Sequence, residues 1–127
     1  MDKNVFITGA GGYIGSLTVA ALADNRGSVN RIMAGDIRPA AENRRHAGVQ
    51  YLTADIRDPG LGALLREHQV DVVVHLAAVV NPGKKPDPVF LHAVEVEGTC
   101  NVLKACLSAA VRKFIYTSSG AAYGYYS

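Results

Sequence analysis

The stretch Thr8-Gly9-Ala10-Gly11-Gly12-Tyr13-Ile14-Gly15 decides how the rest of the chain is interpreted. It follows a short apolar run at residues 4–7 and opens a helical pattern that continues to about Arg26, with Gly27 as the expected C-terminal cap. A strand, a glycine-rich turn and a helix in this order are typical of a pyrophosphate-binding site. The backbone N–H groups that begin a helix lack intrahelical partners, and the helix dipole favours an anion there.

The spacing of the glycines narrows the kind of site. Gly9, Gly12 and Gly15 form the pattern TGxxGxxG, whereas the general dinucleotide pattern GxGxxG would need a glycine where Ile14 stands. A P-loop is excluded because no Gly-Lys-Ser/Thr follows these glycines. The simpler alternative is a turn that only connects a strand to a helix.

A carboxylate follows the second predicted strand. The apolar run at residues 31–35 ends at Asp36, where an acidic side chain can accept hydrogen bonds from an adenosine ribose. The alternative is a carboxylate that only caps a turn or a helix. Because this carboxylate would repel a 2′-phosphate, NAD is favoured over NADP, although Arg38 lies close enough to weaken that preference.

Strand and helix patterns alternate along the whole chain. Five strands joined by helical crossovers predict an α/β fold, with a Rossmann-type parallel sheet of order 3-2-1-4-5 and helices on both faces. The ligand crevice is expected at the carboxyl ends of strands 1 and 4. The later strands are predicted at 49–53, 70–76 and 111–117, the later helices at 61–68 and 89–110, and an irregular segment at 38–48.

Composition sets the class of protein. A length of 127 residues with 49% apolar residues, 19% charged residues and a net charge of +2 indicates one globular domain, residues 1–127, without a nucleic-acid-binding surface. Cys100 and Cys106 lie six apart, which suits reduced thiols in a helix and not a metal site. No signal peptide and no apolar run of about 18 residues is visible, so a cytoplasmic protein is expected.

The predicted helix at 89–110 is apolar on two sides. A helix of this kind must cover the sheet and something else. One face is expected to hold Val102, Ala105, Cys106 and Ala109, and the other Val96, Cys100, Leu103, Leu107 and Ala110.

Five stretches in order resemble the extended short-chain dehydrogenase/reductases of the NAD-dependent epimerase/dehydratase family. The resemblance covers nearly the whole chain. The stretches are residues 8–15, Gly35-Asp36-Ile37-Arg38-Pro39, Asp55-Ile56-Arg57-Asp58, His75-Leu76-Ala77-Ala78, and Phe114-Ile115-Tyr116-Thr117-Ser118-Ser119 running into Tyr123-Gly124.

The resemblance implies a role for each matching residue. It implies that the glycine turn and the N–H groups of Tyr13 and Ile14 hold the pyrophosphate, and that Ser119 is the catalytic serine that orients the substrate oxygen. It implies further that Asp36 holds the ribose, and that its neighbours Ile37 and Arg38 belong to the cofactor-binding residues. Asp55 and Ile56 would bracket the adenine, and Ala77, Ala78 and Val79 would line the path toward the nicotinamide. His75 is interpreted as a packed residue at a strand end and not as a base.

One substitution and one absence set limits on the expected activity. Glu95 stands where the family usually has Asn, and no Tyr in the chain is followed by Lys four positions later, which is the family's acid/base pair. We therefore expect the NAD-binding portion of an enzyme on nucleotide-sugars or related alcohols, truncated after the fifth strand and inactive alone. A non-catalytic dinucleotide-sensing module is the alternative. Self-association through uncovered apolar surface is also expected.

Overall fold

A computed structural model describes residues 3–77 and 87–117 of the chain. Its strands are β1 (Lys3–Thr8), β2 (Val29–Asp36), β3 (Val49–Thr53), β4 (Val72–His75) and β5 (Lys113–Tyr116). Its helices are α1 (Tyr13–Asp24), α2 (Leu61–Glu67), α3 (Pro88–His92) and α4 (Thr99–Ser108), with a 3-10 turn at Glu42–Arg44. A π-helical segment, Ala93–Gly98, joins α3 to α4, and residues 88–108 together are called the long helix below.

The five strands form one parallel sheet in the order β3-β2-β1-β4-β5, which confirms the predicted topology. The register brings the strand ends level: Thr8 lies opposite Gly35 on one side and His75 on the other. Asp36 pairs with Thr53 in the same way. The carboxyl ends therefore meet at one edge, and chain order reverses there between β1 and β4, the place where open parallel sheets bind ligands.

Side chains alternate between the two faces of the sheet, as strand geometry requires. Phe6, Met33 and Val73 pack with residues of α2 and the long helix, including Leu65 and Val102. Their neighbours in sequence pack with Val19 of α1 on the opposite face, which confirms that helices cover both faces; these neighbours are Val5, Ile7, Ile32, Ala34 and Val72.

The end of α1 differs from the prediction. The helix stops at Asp24, two residues early, and the N–H of Asn25 closes it by donating to the carbonyl of Ala21 at 3.0 Å. The prediction of Gly27 as the helix cap is therefore wrong. Gly27 instead takes a left-handed φ of 53° in the turn that leads into β2.

The long helix also ends earlier than predicted, at Ser108. Ala110 takes a left-handed φ of 55°, and the N–H of Val111 donates back to the carbonyl of Cys106 at 2.9 Å. The N–H groups of residues 112 and 113 both donate to the carbonyl of Asp71, so β5 begins only at Lys113.

The two apolar faces of the long helix have different surroundings. Val102, Ala105 and Cys106 are buried in the core, whereas Leu107 is 84% exposed. Apolar surface is therefore uncovered on the second face of the long helix in the described structure, as predicted, where Val96 and Leu103 are exposed too. Ile115 and Tyr116 of β5 are also exposed. Within residues 3–77 and 87–117, no helix has the length and apolar character needed to cross a membrane.

Candidate cofactor-binding cleft

A cleft of about 760 Å³ opens at the carboxyl edge of the sheet, beside β1 and β4. This volume lies in the range of small-molecule and cofactor sites. The cleft brings together every predicted cofactor-binding residue of the described ranges. These are Gly9, Gly12, Tyr13, Ile14, Gly15, Asp36, Ile37, Arg38, Asp55, Ile56 and Ala77.

Two glycines of the turn permit contacts that no other residue would. Gly9 has a left-handed φ of 66°, and a Cβ there would lie 2.7 Å from the Cα and N of Ala77, so the ends of β1 and β4 approach backbone to backbone. A Cβ on Gly15 would lie 2.8 Å from the carbonyl carbon of Gly9 and 2.9 Å from Cα of Ala10. Both glycines are therefore required by the turn itself, independently of any ligand.

The start of α1 faces the cleft with its backbone donors available. Gly12 is the N-cap residue, and in the described structure no side chain caps this end and no acidic residue stands in the first turn. Tyr13 and Ile14 are exposed and line the cleft. The N–H groups and the helix dipole at this end favour a phosphate group, and Gly12 has no side chain that would block it.

Asp36 joins the end of β2 to the glycine turn. Its Oδ2 accepts from the N–H of Gly11 at 2.9 Å, and its Oδ1 accepts from the N–H of Arg38 at 3.1 Å. An ionised carboxylate has about four lone-pair directions, so each oxygen keeps one for a further donor. The carboxylate is thus held in place and still able to accept from two hydroxyls of a ribose.

Asp55 lies across the cleft, at the end of β3, and is held by Arg57. Oδ1 accepts from the backbone N–H and from Nε of Arg57, and Oδ2 accepts from the second guanidinium nitrogen at 2.9 Å. These hydrogen bonds lower the pKa of Asp55 below its ordinary value. One lone pair of Oδ2 stays available, which suits an exocyclic amine.

Sequence reasoning missed the contacts that Arg57 makes with this carboxylate and with an aromatic ring. Arg57 lies only two residues after Asp55, so the ion pair has a local signal in the sequence. The guanidinium also stands 5.6 Å from the ring centre of Phe90, at the start of the long helix. That second contact joins segments 33 positions apart, and nothing in the sequence indicates it.

A buried polar chain supports the wall of the cleft. His75 is 1% exposed, with Nδ1 at 2.7 Å from Thr8 Oγ1 and Nε2 at 3.0 Å from Thr99 Oγ1. Thr8 Oγ1 also accepts from the N–H groups of Leu76 and Ala77. Burial lowers the pKa of His75, and the interpretation of this residue as a packed strand-end histidine is confirmed.

Three of the predicted site residues, Ala78, Val79 and Ser119, lie outside the described residues. Their roles stay predictions. Across residues 3–77 and 87–117, no three side chains of the metal-binding types come together as a metal site would need.

The sheet, the glycine turn and the carboxylate that ends β2 define a dinucleotide-binding protein of the Rossmann type. The model of the NAD dependent epimerase/dehydratase family matches residues 5–127. The chain belongs to this family.

The chain spans less than half of the length of the relatives that it matches. It is 36% identical to UDP-glucose 4-epimerase of Mycolicibacterium smegmatis over 121 residues, covering 90% of this chain and 38% of that protein. It is 34% identical to L-arabinose 1-dehydrogenase (NAD(P)(+)) of Haloferax volcanii over 116 residues, covering 91% and 40%. The structure of UDP-glucose-4-epimerase from Stenotrophomonas maltophila, with bound NAD and formylated UDP-arabinopyranose, superposes with a TM-score of 0.82 at 29% identity, covering 96% and 38%.

Proposed function

We propose that this chain is the NAD-binding portion of an oxidoreductase, epimerase or dehydratase that acts on a nucleotide-sugar or a related alcohol by hydride transfer. The observation that carries the proposal is the cleft, which gathers all described residues of the predicted cofactor site at the switch point of the sheet. The similarity to epimerases and a sugar dehydrogenase supports the substrate class.

Each part of the cleft suits one part of the dinucleotide. The N–H groups at the start of α1 would receive the pyrophosphate, and Asp36 would accept from the ribose hydroxyls. The free lone pair on Asp55 Oδ2 would accept from the adenine amine, with Ile56 against the ring. Bound NAD would supply the hydride acceptor, while the chain supplies position and hydrogen bonds.

The proton-transfer group of the family has no counterpart in the 127 residues, since no Tyr-x-x-x-Lys occurs. Ser119 alone would orient a substrate oxygen without accepting its proton. We therefore expect the chain to bind NAD without turning over nucleotide-sugars. Calorimetric titration with NAD tests the binding, and NADH formation across a substrate screen tests the activity; turnover by this chain would contradict the proposal.

A second candidate is a non-catalytic dinucleotide-sensing or interaction module, which the same cleft would also suit. The two candidates differ in the longer protein that carries these residues. A Tyr-x-x-x-Lys after Ser119, together with hydride transfer by the longer protein, selects the enzyme. NAD binding without any hydride transfer by that protein selects the sensor.

NAD is favoured over NADP because the Asp36 carboxylate, fixed by the Gly11 and Arg38 N–H groups, would face the 2′ position. A hydrogen bond to a charged group contributes about 1.5–3 kcal/mol, so Asp36→Ala should weaken NAD binding roughly tenfold or more. NADP binding should weaken less or improve, since the repulsion is removed while Arg38 remains. Asp24→Ala, at the far end of α1, is the matched control. An unchanged NAD to NADP ratio in Asp36→Ala would refute this preference.

The exposed apolar surface supports self-association of the chain. Leu107 is 84% exposed beside Leu103 on the long helix, and Ile115 and Tyr116 of β5 are exposed as well. Light scattering at tens of micromolar should show species larger than a monomer, and Leu107→Gln should reduce them. Leu17→Gln is the control, because the side chain of Leu17 on α1 is also exposed. A parent chain that stays monomeric would contradict the idea.

A further inference from the structure

Asn101 connects the long helix to the loop that follows β3. Its side-chain Nδ2 donates to the carbonyl of Ile56 at 2.7 Å and to the carbonyl of Asp58 at 2.8 Å. Both partners are acceptors, so only the NH₂ end of the amide can occupy this position, which fixes the orientation of the side chain. One amide group therefore binds the loop at two points, on either side of Arg57.

The two points enclose the residue that holds Asp55. Arg57 lies between the bound carbonyls, and its backbone N–H, Nε and terminal nitrogen all donate to the Asp55 carboxylate. A shift of the backbone at 56 or 58 would therefore move this guanidinium fork. The position of the carboxylate in the cleft depends on the helix through Asn101.

Gly98 lets the helix come close enough for these bonds. It lies three residues before Asn101, on the same side of the helix, and is buried. A Cβ on Gly98 would lie 2.6 Å from Cδ1 and 3.0 Å from Cγ1 of Ile56, which is itself 7% exposed. The helix thus contacts the side chain of Ile56 at Gly98, and it binds the carbonyl of Ile56 through Asn101.

General packing of the helix does not require Asn101. Farther along, Arg66 of α2 donates to the carbonyl and to Oγ of Ser108 at 2.9 and 2.7 Å. Val102 and Leu65 are buried together in the core between the same elements. The helix therefore has docking contacts of its own besides the two bonds that Asn101 makes to the loop at residues 55–58.

We infer that Asn101 is a positioning residue for adenine recognition: it holds the loop so that Asp55 and Ile56 receive the base of the dinucleotide. This inference rests on the proposed NAD-binding function. It assigns to the long helix, remote in sequence from the glycine turn, a part in selecting the nucleotide base.

The test compares NAD with nicotinamide hypoxanthine dinucleotide, which has a carbonyl oxygen where adenine has its amine. The parent chain should prefer NAD about tenfold, the worth of one hydrogen bond to a charged acceptor. Asn101→Asp keeps the shape of the side chain but removes both donors. It should weaken NAD binding about tenfold and bring the ratio of the two affinities near one. Lys104→Gln, an exposed change on the same helix, should leave the ratio unchanged.

A separate measurement keeps the inference testable if neither dinucleotide binds, which would count against the proposed function instead. Amide hydrogen exchange at Asp58 and Leu61, whose N–H groups bond within the loop, should quicken in Asn101→Asp while Phe6 of β1 keeps its rate. The inference is overturned if exchange in the loop is unchanged, or if Asn101→Asp lowers both affinities equally and preserves their ratio.

Discussion

Replacing Gly15 by alanine tests whether the turn itself requires a glycine at this position. The added Cβ would overlap the carbonyl oxygen of Gly9, and it would meet the carbonyl carbon of Gly9 at 2.8 Å and Cα of Ala10 at 2.9 Å. All three obstacles are backbone atoms that cannot rotate away. Overpacking against backbone costs about 3 kcal/mol, the upper end of its usual range, and alanine in a helix recovers about 1 kcal/mol. The expected net loss is about 2 kcal/mol of the roughly 5–15 kcal/mol that stabilises such a domain.

Gly12→Ala is the matched control, because its Cβ would lie 3.4 Å from the carbonyl oxygen of Gly9, an ordinary contact. Its cost should stay below about 1 kcal/mol, from the weaker N-cap. At roughly 4 °C per kcal/mol, thermal unfolding by circular dichroism should show Tm about 8 °C lower for Gly15→Ala. NAD binding should weaken in Gly12→Ala because the methyl group would face the proposed phosphate position. Equal Tm values for the two variants would refute the reasoning.

Two further predictions concern buried titratable groups. Burial lowers the pKa of His75, so the unfolded chain takes up a proton first, and stability should fall as pH drops below about 6.5, by at most about 1.4 kcal/mol per pH unit. Thermal unfolding at several pH values should show a smaller slope for His75→Gln than for the parent or for the exposed-site control His46→Gln; equal slopes would contradict this. Burial raises the pKa of the Cys106 thiol to about 11, so a thiol reagent at neutral pH should modify Cys100 alone in the folded chain and both cysteines in denaturant. Rapid native modification of Cys106 would argue against its burial.

The order of the sheet and the position of the cleft were accessible from sequence because they depend on local patterns. Apolar runs locate the strands, right-handed crossovers fix their order, and the glycine spacing marks the helix that starts at the cleft. Asp36 was found in the same way, since its place at a strand end is local.

The features that were missed depend on contacts between distant segments. The bonds of Asn101 join residues 43 and 45 positions apart, and the bond between Thr8 and His75 spans 67 positions. The early end of α1 was missed for a different reason: the turn before β2, in which Gly27 takes its left-handed conformation, decides where the helix stops. Helix ends are set by such competition more than by propensity.

The hydroxyl of Thr8 sets the direction of the buried hydrogen bonds that link Thr8, His75 and Thr99. Since Thr8 Oγ1 accepts from the N–H groups of Leu76 and Ala77, its own hydrogen points to Nδ1 of His75, and the ring must carry its hydrogen on Nε2, toward Thr99. A protonated His75 ring would donate from both nitrogens. Thr8 Oγ1 would then have to accept a third hydrogen bond, although it has only two lone pairs. Acid should therefore release a backbone N–H at residues 76–77 first, so this wall of the cleft would loosen before the sheet does.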